Sequence, residues 1–185
     1  MMSDQDAVQE RFAYTTGWND WLRKPLLGKV WLSEAEARDR FENQHIYFQV
    51  LEAVALQGEL PAFLLEIRSS DAGRIAVHRY NSAGSIIVKV DLRPEEGRYF
   101  CDQVVSWTYP DTTTRYDMDE STSITAVTFE PDGTGTLTVR DKLDPVNDVR
   151  MEARDIPVEE HWVDRFEFGA WDVLLNLPVL KPTRK

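Results

Sequence analysis

Two residues on one short segment, His78 and Tyr80, carry side chains suited to ligand binding or proton transfer. Residues 74–80 alternate as a strand does, with two interleaved sets: Ile75, Val77 and Arg79, and Ala76, His78 and Tyr80. If the second set faces the interior, His78 and Tyr80 line a cavity there. Imidazole and phenol groups both donate and accept protons, so His78 is the first candidate for a general acid or base.

The segment from 98 to 109 carries a second set of candidate ligand contacts. Six alternate positions share one face of the predicted strand, namely Tyr99, Cys101, Gln103, Val105, Trp107 and Tyr109. Aromatic side chains with polar tips suit a cavity that holds a largely hydrophobic molecule and orients it through a few hydrogen bonds. We predict that Trp107 and Tyr109 contact a ligand. The alternative is that these aromatics fill the core or cover an outer face.

A polar segment follows, in which Arg115 and Tyr116 are the remaining candidate contacts. In the run Arg115-Tyr116-Asp117-Met118-Asp119, polar side chains occupy alternate positions. At the mouth of a cavity, Arg115 or Tyr116 would bind a carboxylate, because a guanidinium forms charge-assisted hydrogen bonds with it. A solvated edge strand would explain the same residues without a ligand.

Several classes of chemistry find no support in the sequence. There is no nucleophile-elbow, Ser-x-x-Lys or glycine-rich phosphate-loop motif. The three histidines, His45, His78 and His161, have no metal-ligand spacing, and Cys101 is expected to be a small buried hydrophobe. We therefore predict no metal and no cofactor.

The charge of the chain restricts its partners. With 21 Lys and Arg against 32 Asp and Glu, the formal net charge of the 185 residues is −11. Binding to phosphate backbones needs clustered basic residues, so nucleic acid is not an expected partner. No apolar run reaches membrane-spanning length and no signal peptide is recognisable. These observations predict a cytoplasmic protein with no membrane partner.

The elements that would position these residues fall into two parts. Residues 1–42 are predicted to be mainly helical, with Pro25 ending a first helix and a Ser-x-x-Glu capping box at Ser33 opening a second. Exposed tryptophans on this part, Trp18, Trp21 and Trp31, would form a docking patch or a homodimer surface.

Residues 43–180 have the period of strands, and residues 181–185 form a tail. Three turn clusters end in glycine, namely 70–73, 81–84 and 94–97, and each fits a type I turn with a bulge. Asp132-Gly133 marks a further hairpin, and residues 45–56, 148–154 and 161–168 complete about nine strands. A single domain accounts for residues 1–185, because no linker divides them.

An antiparallel array of this size must close or be covered. The leading prediction is a mainly β, up-and-down barrel of about eight to ten strands, similar in architecture to the calycins and lipocalins, with short N-terminal helices. The alternative is an α+β curved sheet wrapped on helices. Gly17-Trp18 and Gly28-Lys29-Val30-Trp31 both lack the one-residue gap of the lipocalin motif, so no family is assigned.

The sequence thus predicts a protein that binds a small hydrophobic or aromatic ligand in a barrel cavity, with contacts from His78, Tyr80, Trp107, Tyr109, Arg115 and Tyr116. One alternative is an enzyme, a lyase, isomerase or cyclase, that uses His78 or a tyrosine for acid-base catalysis while Arg115 holds a substrate carboxylate. The other alternative is a protein-interaction module that docks through its tryptophan-rich N-terminal part.

Overall fold

The computed structural model of the chain describes residues 11–68 and 73–177. Strands make up 42% of the protein and helices 18%, which confirms the mainly β prediction. The first seven strands are β1 Phe12–Thr15, β2 Trp18–Asn19, β3 Lys24–Pro25, β4 Trp31–Leu32, β5 Phe48–Glu52, β6 Phe63–Ile67 and β7 Ile75–Tyr80. The remaining strands are β8 Ile86–Glu95, β9 Arg98–Thr108, β10 Ser123–Phe129, β11 Gly135–Asp141, β12 Val149–Ala153 and β13 Trp162–Val163.

The helices are short. The two α-helices are α1 Glu34–Asp39 and α2 Asp172–Leu175, and a π-helical turn, Arg40–Gln44, continues α1. Single 3₁₀ turns span Ala53–Gln57, Met118–Glu120, Pro145–Asn147 and Glu159–His161. Within the described ranges, none of these helices has the length and apolar character that a membrane span requires.

One sheet of eleven strands dominates the fold, and it is not a closed barrel. Ten strands follow the order β12-β11-β10-β9-β8-β7-β6-β5-β1-β4, and β13 adds to β9. All these pairs are antiparallel. Closure would require β4 to pair with β12, and in the described part of the chain both remain edges. The predicted barrel is therefore wrong in its closure, whereas its up-and-down strand order is confirmed.

The prediction of an N-terminal helix before Pro25 is also wrong over the described residues. From residue 11 to residue 32 the chain forms β1 to β4, and residues 1–10 of the predicted helix lie outside the described residues. β1 is inserted between β5 and β4, so tertiary strand pairing overrides the weak helical spacing. The second helix is confirmed: the Ser33 Oγ accepts the Glu36 N–H, and the Glu36 carboxylate accepts the Ser33 N–H.

The later strands match the prediction best where a tight turn joins them. Asn81 Oδ1 accepts the N–H groups of Ala83 and Ser85, which fixes the β7–β8 turn, and Gly133 has φ +81° in the β10–β11 turn. The β8–β9 loop differs from the prediction. It contains two residues, Glu96 and Gly97, both with positive φ, which is typical of a type I′ turn. The cluster at 70–73 lies mostly outside the described residues.

Two predicted strands are shorter than the sequence suggested. The strand expected over 45–56 ends at Glu52, where the chain turns into the 3₁₀ segment Ala53–Gln57 and reverses at Gly58, φ +77°. Of the strand expected over 161–168, only Trp162–Val163 pairs with a neighbour. Beyond Glu52, Val54 and Leu56 are exposed in the 3₁₀ segment, whereas Phe166 and Phe168, beyond Val163, pack into the core without pairing as a strand.

The core face of the sheet is the face that carries Val50, Leu65, Val77 and Val90. All four side chains are fully buried, and the covering segment, residues 166–177, lies over them. At its centre is Trp171, whose ring packs edge-on against four phenylalanines, namely Phe41, Phe48, Phe166 and Phe168. The space that a barrel would have offered to a ligand is therefore filled by side chains.

The opposite, outer face carries a smaller apolar cluster. Trp18, Leu51, Ala55 and Leu64 are its buried members, and Trp31 and Tyr80 pack against them. Trp18 is only 6% exposed and its ring lies 5.7 Å from that of Trp31. The predicted patch of exposed tryptophans is therefore wrong for Trp18, because this residue belongs to a core, and Trp21 alone of the three is largely exposed.

Candidate functional site

A β-bulge in β9 decides which face its side chains occupy. Asp91 pairs with Gln103 but the next residue, Leu92, pairs with Cys101, so Asp102 is an extra residue. Tyr99 and Cys101 therefore join the core, together with Val104 beyond the bulge. The prediction that one face runs unbroken from Tyr99 to Tyr109 is wrong, because the extra residue reverses the alternation.

Four of the six predicted contact residues share the outer face, and the bulge in β9 is the reason for two of them, Trp107 and Tyr109. Val104 is on the core face, so by alternation Trp107 and Tyr109 point to the outer face. His78 and Tyr80 lie there too. They alternate along β7 with Val77, which is buried on the core face against Val90. These residues were expected inside a barrel, whereas the structure places them on the face away from the covering segment.

On this face, the Arg115 guanidinium contacts an aromatic ring, two carboxylates and a backbone carbonyl. Its guanidinium carbon lies 3.6 Å from the centroid of the Trp21 ring, and Nη2 lies 3.0 Å from Asp20 Oδ2. Nε donates to the Gly84 carbonyl at 3.3 Å, and Asp117 Oδ1 lies 3.8 Å from Nη2. The remaining nitrogen, Nη1, is buried and meets no hydrogen-bond acceptor among the described residues. One strong donor group of Arg115 is thus unused.

Tyr109 and Tyr116 stack beside Arg115. Their ring centroids are 5.6 Å apart and their planes differ by 8°. The Tyr109 hydroxyl donates to the Ile86 carbonyl at 2.7 Å, and burial raises the pKa of Tyr109 to about 12. The Tyr116 hydroxyl donates to Asp111 at 2.7 Å, which raises the pKa of Tyr116 and, with the N–H groups of Thr114 and Thr113, holds the pKa of Asp111 well below its ordinary value. Both rings are therefore fixed by hydrogen bonds as well as by stacking.

Arg115 and Tyr116 line an open depression of about 490 Å³, the Arg115 groove. Its walls combine three carboxylates, two apolar side chains, a guanidinium and a phenol, namely Asp20, Asp117 and Asp119, Ile86 and Met118, Arg115, and Tyr116. Asp117 also accepts the Trp21 Nε1–H at 3.0 Å, which links this lining residue to the ring that stacks on Arg115. The lining suits a small molecule with an apolar part and an oxygen acceptor.

His78 occupies a neighbouring cluster rather than the groove. Its Nε2 lies 3.9 Å from Glu66 Oε1, and Glu66 also pairs with Arg68 and accepts the Tyr47 hydroxyl at 3.5 Å. Burial lowers the pKa of His78, partly opposed by the charge of Glu66. Burial also raises the pKa of Tyr80, which lies between the two clusters and is affected by both Asp20 and Glu66.

The structure thus brings Arg115, Tyr116 and Tyr109 together and places Tyr80 beside them. His78 lies in the Glu66 cluster, and Trp107 faces outward two residues before Tyr109, opposite Ile124. Sequence reasoning missed Asp20 and assigned Trp21 only to a docking patch, because their segment was predicted to be helical and not to meet Arg115. A detectable signal for Asp117 was its spacing from Glu120, since the two form a capping box around the turn at Met118–Glu120.

The fold and the groove define a mainly β protein with a large antiparallel up-and-down sheet and an amphipathic depression on its outer face. The chain matches no protein-family model, and comparison with curated proteins and with solved structures found no match either.

The buried histidines make stability depend on pH. Burial lowers the pKa of both His78 and His161 in the folded protein, so the folded state binds fewer protons than the unfolded state. Their contribution is present above about pH 6.5, the unfolded value, and is lost as the pH falls through the folded pKa. We expect the urea midpoint of the protein to fall between pH 7.5 and pH 5.5, and that of His78→Gln to fall less.

The comparison of the two proteins removes other titrating groups from this measurement. Burial raises the pKa of Asp102, which acts in the opposite direction but is common to wild type and variant. Four charged groups surround His78, namely Glu66, Arg68, Lys89 and Asp91, and all remain in the variant. Equal pH slopes for wild type and His78→Gln would show that His78 is not the group responsible.

Proposed function

We propose that this protein binds a small, partly hydrophobic molecule in the Arg115 groove. The observation that carries the proposal is the buried, unpartnered Nη1 of Arg115, a residue that lines the groove, so that a small shift of the guanidinium would present this donor to a ligand. A buried donor without an acceptor costs about 1–3 kcal/mol, so a ligand oxygen that reaches it gains affinity by removing that cost. The other contacts of Arg115, with Trp21, Asp20 and the Gly84 carbonyl, hold the guanidinium in place before a ligand arrives.

The charges of the groove limit the ligand class. Asp20, Asp117 and Asp119 outnumber the single guanidinium, so a molecule with several negative charges is repelled. A neutral amide fits, and so does a zwitterion whose ammonium group faces the carboxylates while its oxygen faces Nη1. Tyr116, Met118 and Ile86 supply the apolar walls against which a ring or a short alkyl group packs.

Intrinsic fluorescence tests the proposal, because Trp21 lies directly against Arg115. Titration with benzamide and with L-phenylalanine is expected to change the emission saturably, whereas citrate, with several negative charges, is expected to have no effect. Arg115→Gln is expected to weaken binding about tenfold, equivalent to about 1.4 kcal/mol for the lost charged hydrogen bond. Trp21→Phe is expected to lose the signal while isothermal calorimetry still detects binding.

Arg165→Gln is a matched control. Arg165 also lies over an aromatic ring, that of Tyr99 at 5.3 Å, and its Nε also donates to a glycine carbonyl, that of Gly97 at 3.2 Å. It is remote from the groove lining, so its removal is expected to leave binding unchanged. Absence of any saturable response to the probes, or equal affinities for Arg115→Gln and wild type, would refute the proposal.

A further inference from the structure

The apolar core face of the sheet continues beyond the covering segment. A row of directly paired residues crosses the strands from β5 to β12: Val50, Leu65, Val77, Val90, Val104, Val127, Leu137 and Met151. The first four side chains are fully buried, whereas Met151 is 52% exposed. The row therefore extends beyond the covering segment and ends in exposed apolar side chains at the β12 edge, Met151 and Val149.

β12 is an edge strand along its whole length. It pairs with β11 on one side, and no described strand pairs with its other side. All five of its residues are exposed. A free edge of this kind offers unpaired backbone N–H and C=O groups as a template for another strand.

The sequence of this edge is complementary to itself. Residues 148–154 read Asp-Val-Arg-Met-Glu-Ala-Arg. In an antiparallel pair of two copies centred on Met151, Arg150 lies opposite Glu152 and Asp148 lies opposite Arg154, each twice by symmetry. These charged residues share one face of the strand, and the apolar Val149, Met151 and Ala153 share the other.

The charges at the centre are available for such a pair. Within the described part of the chain, neither Arg150 nor Glu152 forms a salt bridge. Their partners on β11 are the neutral Thr138 and Thr136. Opposite charges that face each other across two strands stabilise the pair, and like charges destabilise it.

We infer that a second copy of this chain binds at β12, with the two β12 strands antiparallel and related by a two-fold axis at Met151. The two sheets become one continuous sheet. The exposed end of the apolar row in one copy contacts the exposed end of the same row in the other copy. Leu143 and Val146, which are 78% and 89% exposed, lie in the loop that joins β11 to β12 and precede the paired strand. No residue of β12 lines the Arg115 groove, and the inference does not depend on the proposed ligand.

Sedimentation velocity over a rising concentration series tests this inference. Wild-type protein is expected to show a monomer–dimer equilibrium. Arg150→Glu places like charges opposite each other twice, as does Glu152→Arg, and each is expected to weaken dimerisation about tenfold or more, equivalent to about 1.4 kcal/mol over the two pairs. The double variant R150E/E152R restores opposite charges and is expected to dimerise like wild type.

Mixing the two single variants gives the sharpest measurement. A chain with Arg150→Glu carries two acids at these positions and a chain with Glu152→Arg carries two bases, so the mixture is expected to form heterodimers although each alone does not. Both positions are exposed, so circular dichroism should show unchanged folding. The inference is overturned if wild type stays monomeric throughout, if the single variants dimerise like wild type, or if the mixture does not associate.

Discussion

Replacement of Trp171 with alanine is expected to lower the free energy of unfolding by about 3–5 kcal/mol, the loss typical of a large aromatic side chain removed from a core. Trp171 is fully buried and contacts four phenylalanines from three parts of the chain. Its removal opens a void between the sheet and the covering segment that these rings cannot all fill. The change corresponds to a decrease in melting temperature of roughly 6–20 °C for a chain of this size.

Urea unfolding followed by circular dichroism measures the effect, and two variants serve as controls. Val173→Ala changes α2, the short helix that follows Trp171, at a side chain that is 42% exposed, and is expected to cost less than about 1 kcal/mol. Trp171→Phe keeps an aromatic ring and removes an indole N–H that is buried without an acceptor in the described residues, so it is expected to cost less than half as much as alanine. Equal losses for Trp171→Ala and Val173→Ala would contradict the assignment of Trp171 as the centre of the core.

Gly135→Ala is expected to destabilise the protein by about 1–3 kcal/mol, because the position has no space for a methyl group. A Cβ atom there would lie 2.6 Å from the Thr128 carbonyl oxygen and 2.7 Å from Ile156 Cδ1. The first neighbour is backbone of the adjacent strand β10, so the clash can be relieved only by moving the strand. The same chemical unfolding measurement detects the loss.

Ile156→Val provides an internal test, because it removes the Cδ1 atom that the new methyl group meets. In the Ile156→Val background, Gly135→Ala is expected to cost less than in wild type, although the clash with the Thr128 oxygen remains. Thr136→Ala, on the next residue of β11, is expected to change stability by less than about 0.5 kcal/mol. A cost for Gly135→Ala that is equal to that of Thr136→Ala would show that β10 and β11 tolerate the methyl group.

The parts of the fold that follow from the sequence are those with local causes. The turns at Asn81 and at Asp132-Gly133 are encoded by residues that fix their own backbone, and the strands they join are neighbours in the chain. The meander from β7 to β12 could therefore be predicted strand by strand. The position of β1 could not, because it pairs with β5 and β4, and the residues that create those pairs lie outside its own segment.

The candidate site was predicted only in part, because some of its residues are recognisable locally and others come from distant segments. Arg115 and Tyr116 stand out in a polar segment, but the side chains that hold Arg115 come from Asp20 and Trp21, nearly a hundred residues earlier. The face occupied by Trp107 and Tyr109 depends on one extra residue, Asp102, in a strand that contains neither glycine nor proline to indicate a bulge. The residue types from Tyr99 to Tyr109 show no interruption at Asp102, so alternation alone could not reveal the insertion that reverses the two faces.

The late position of the covering segment in the chain has a consequence for synthesis. Strands β5 to β12 are complete by residue 153, whereas the segment that covers Val50, Leu65, Val77 and Val90 begins at residue 166. Because a nascent chain begins to fold from its N-terminal side as it leaves the ribosome, the hairpins can form while their apolar face lacks the cover of residues 166–177. A delay in the emergence of residues 166–177 from the ribosome would prolong this interval, in which the incomplete sheet is most exposed to aggregation and to chaperones.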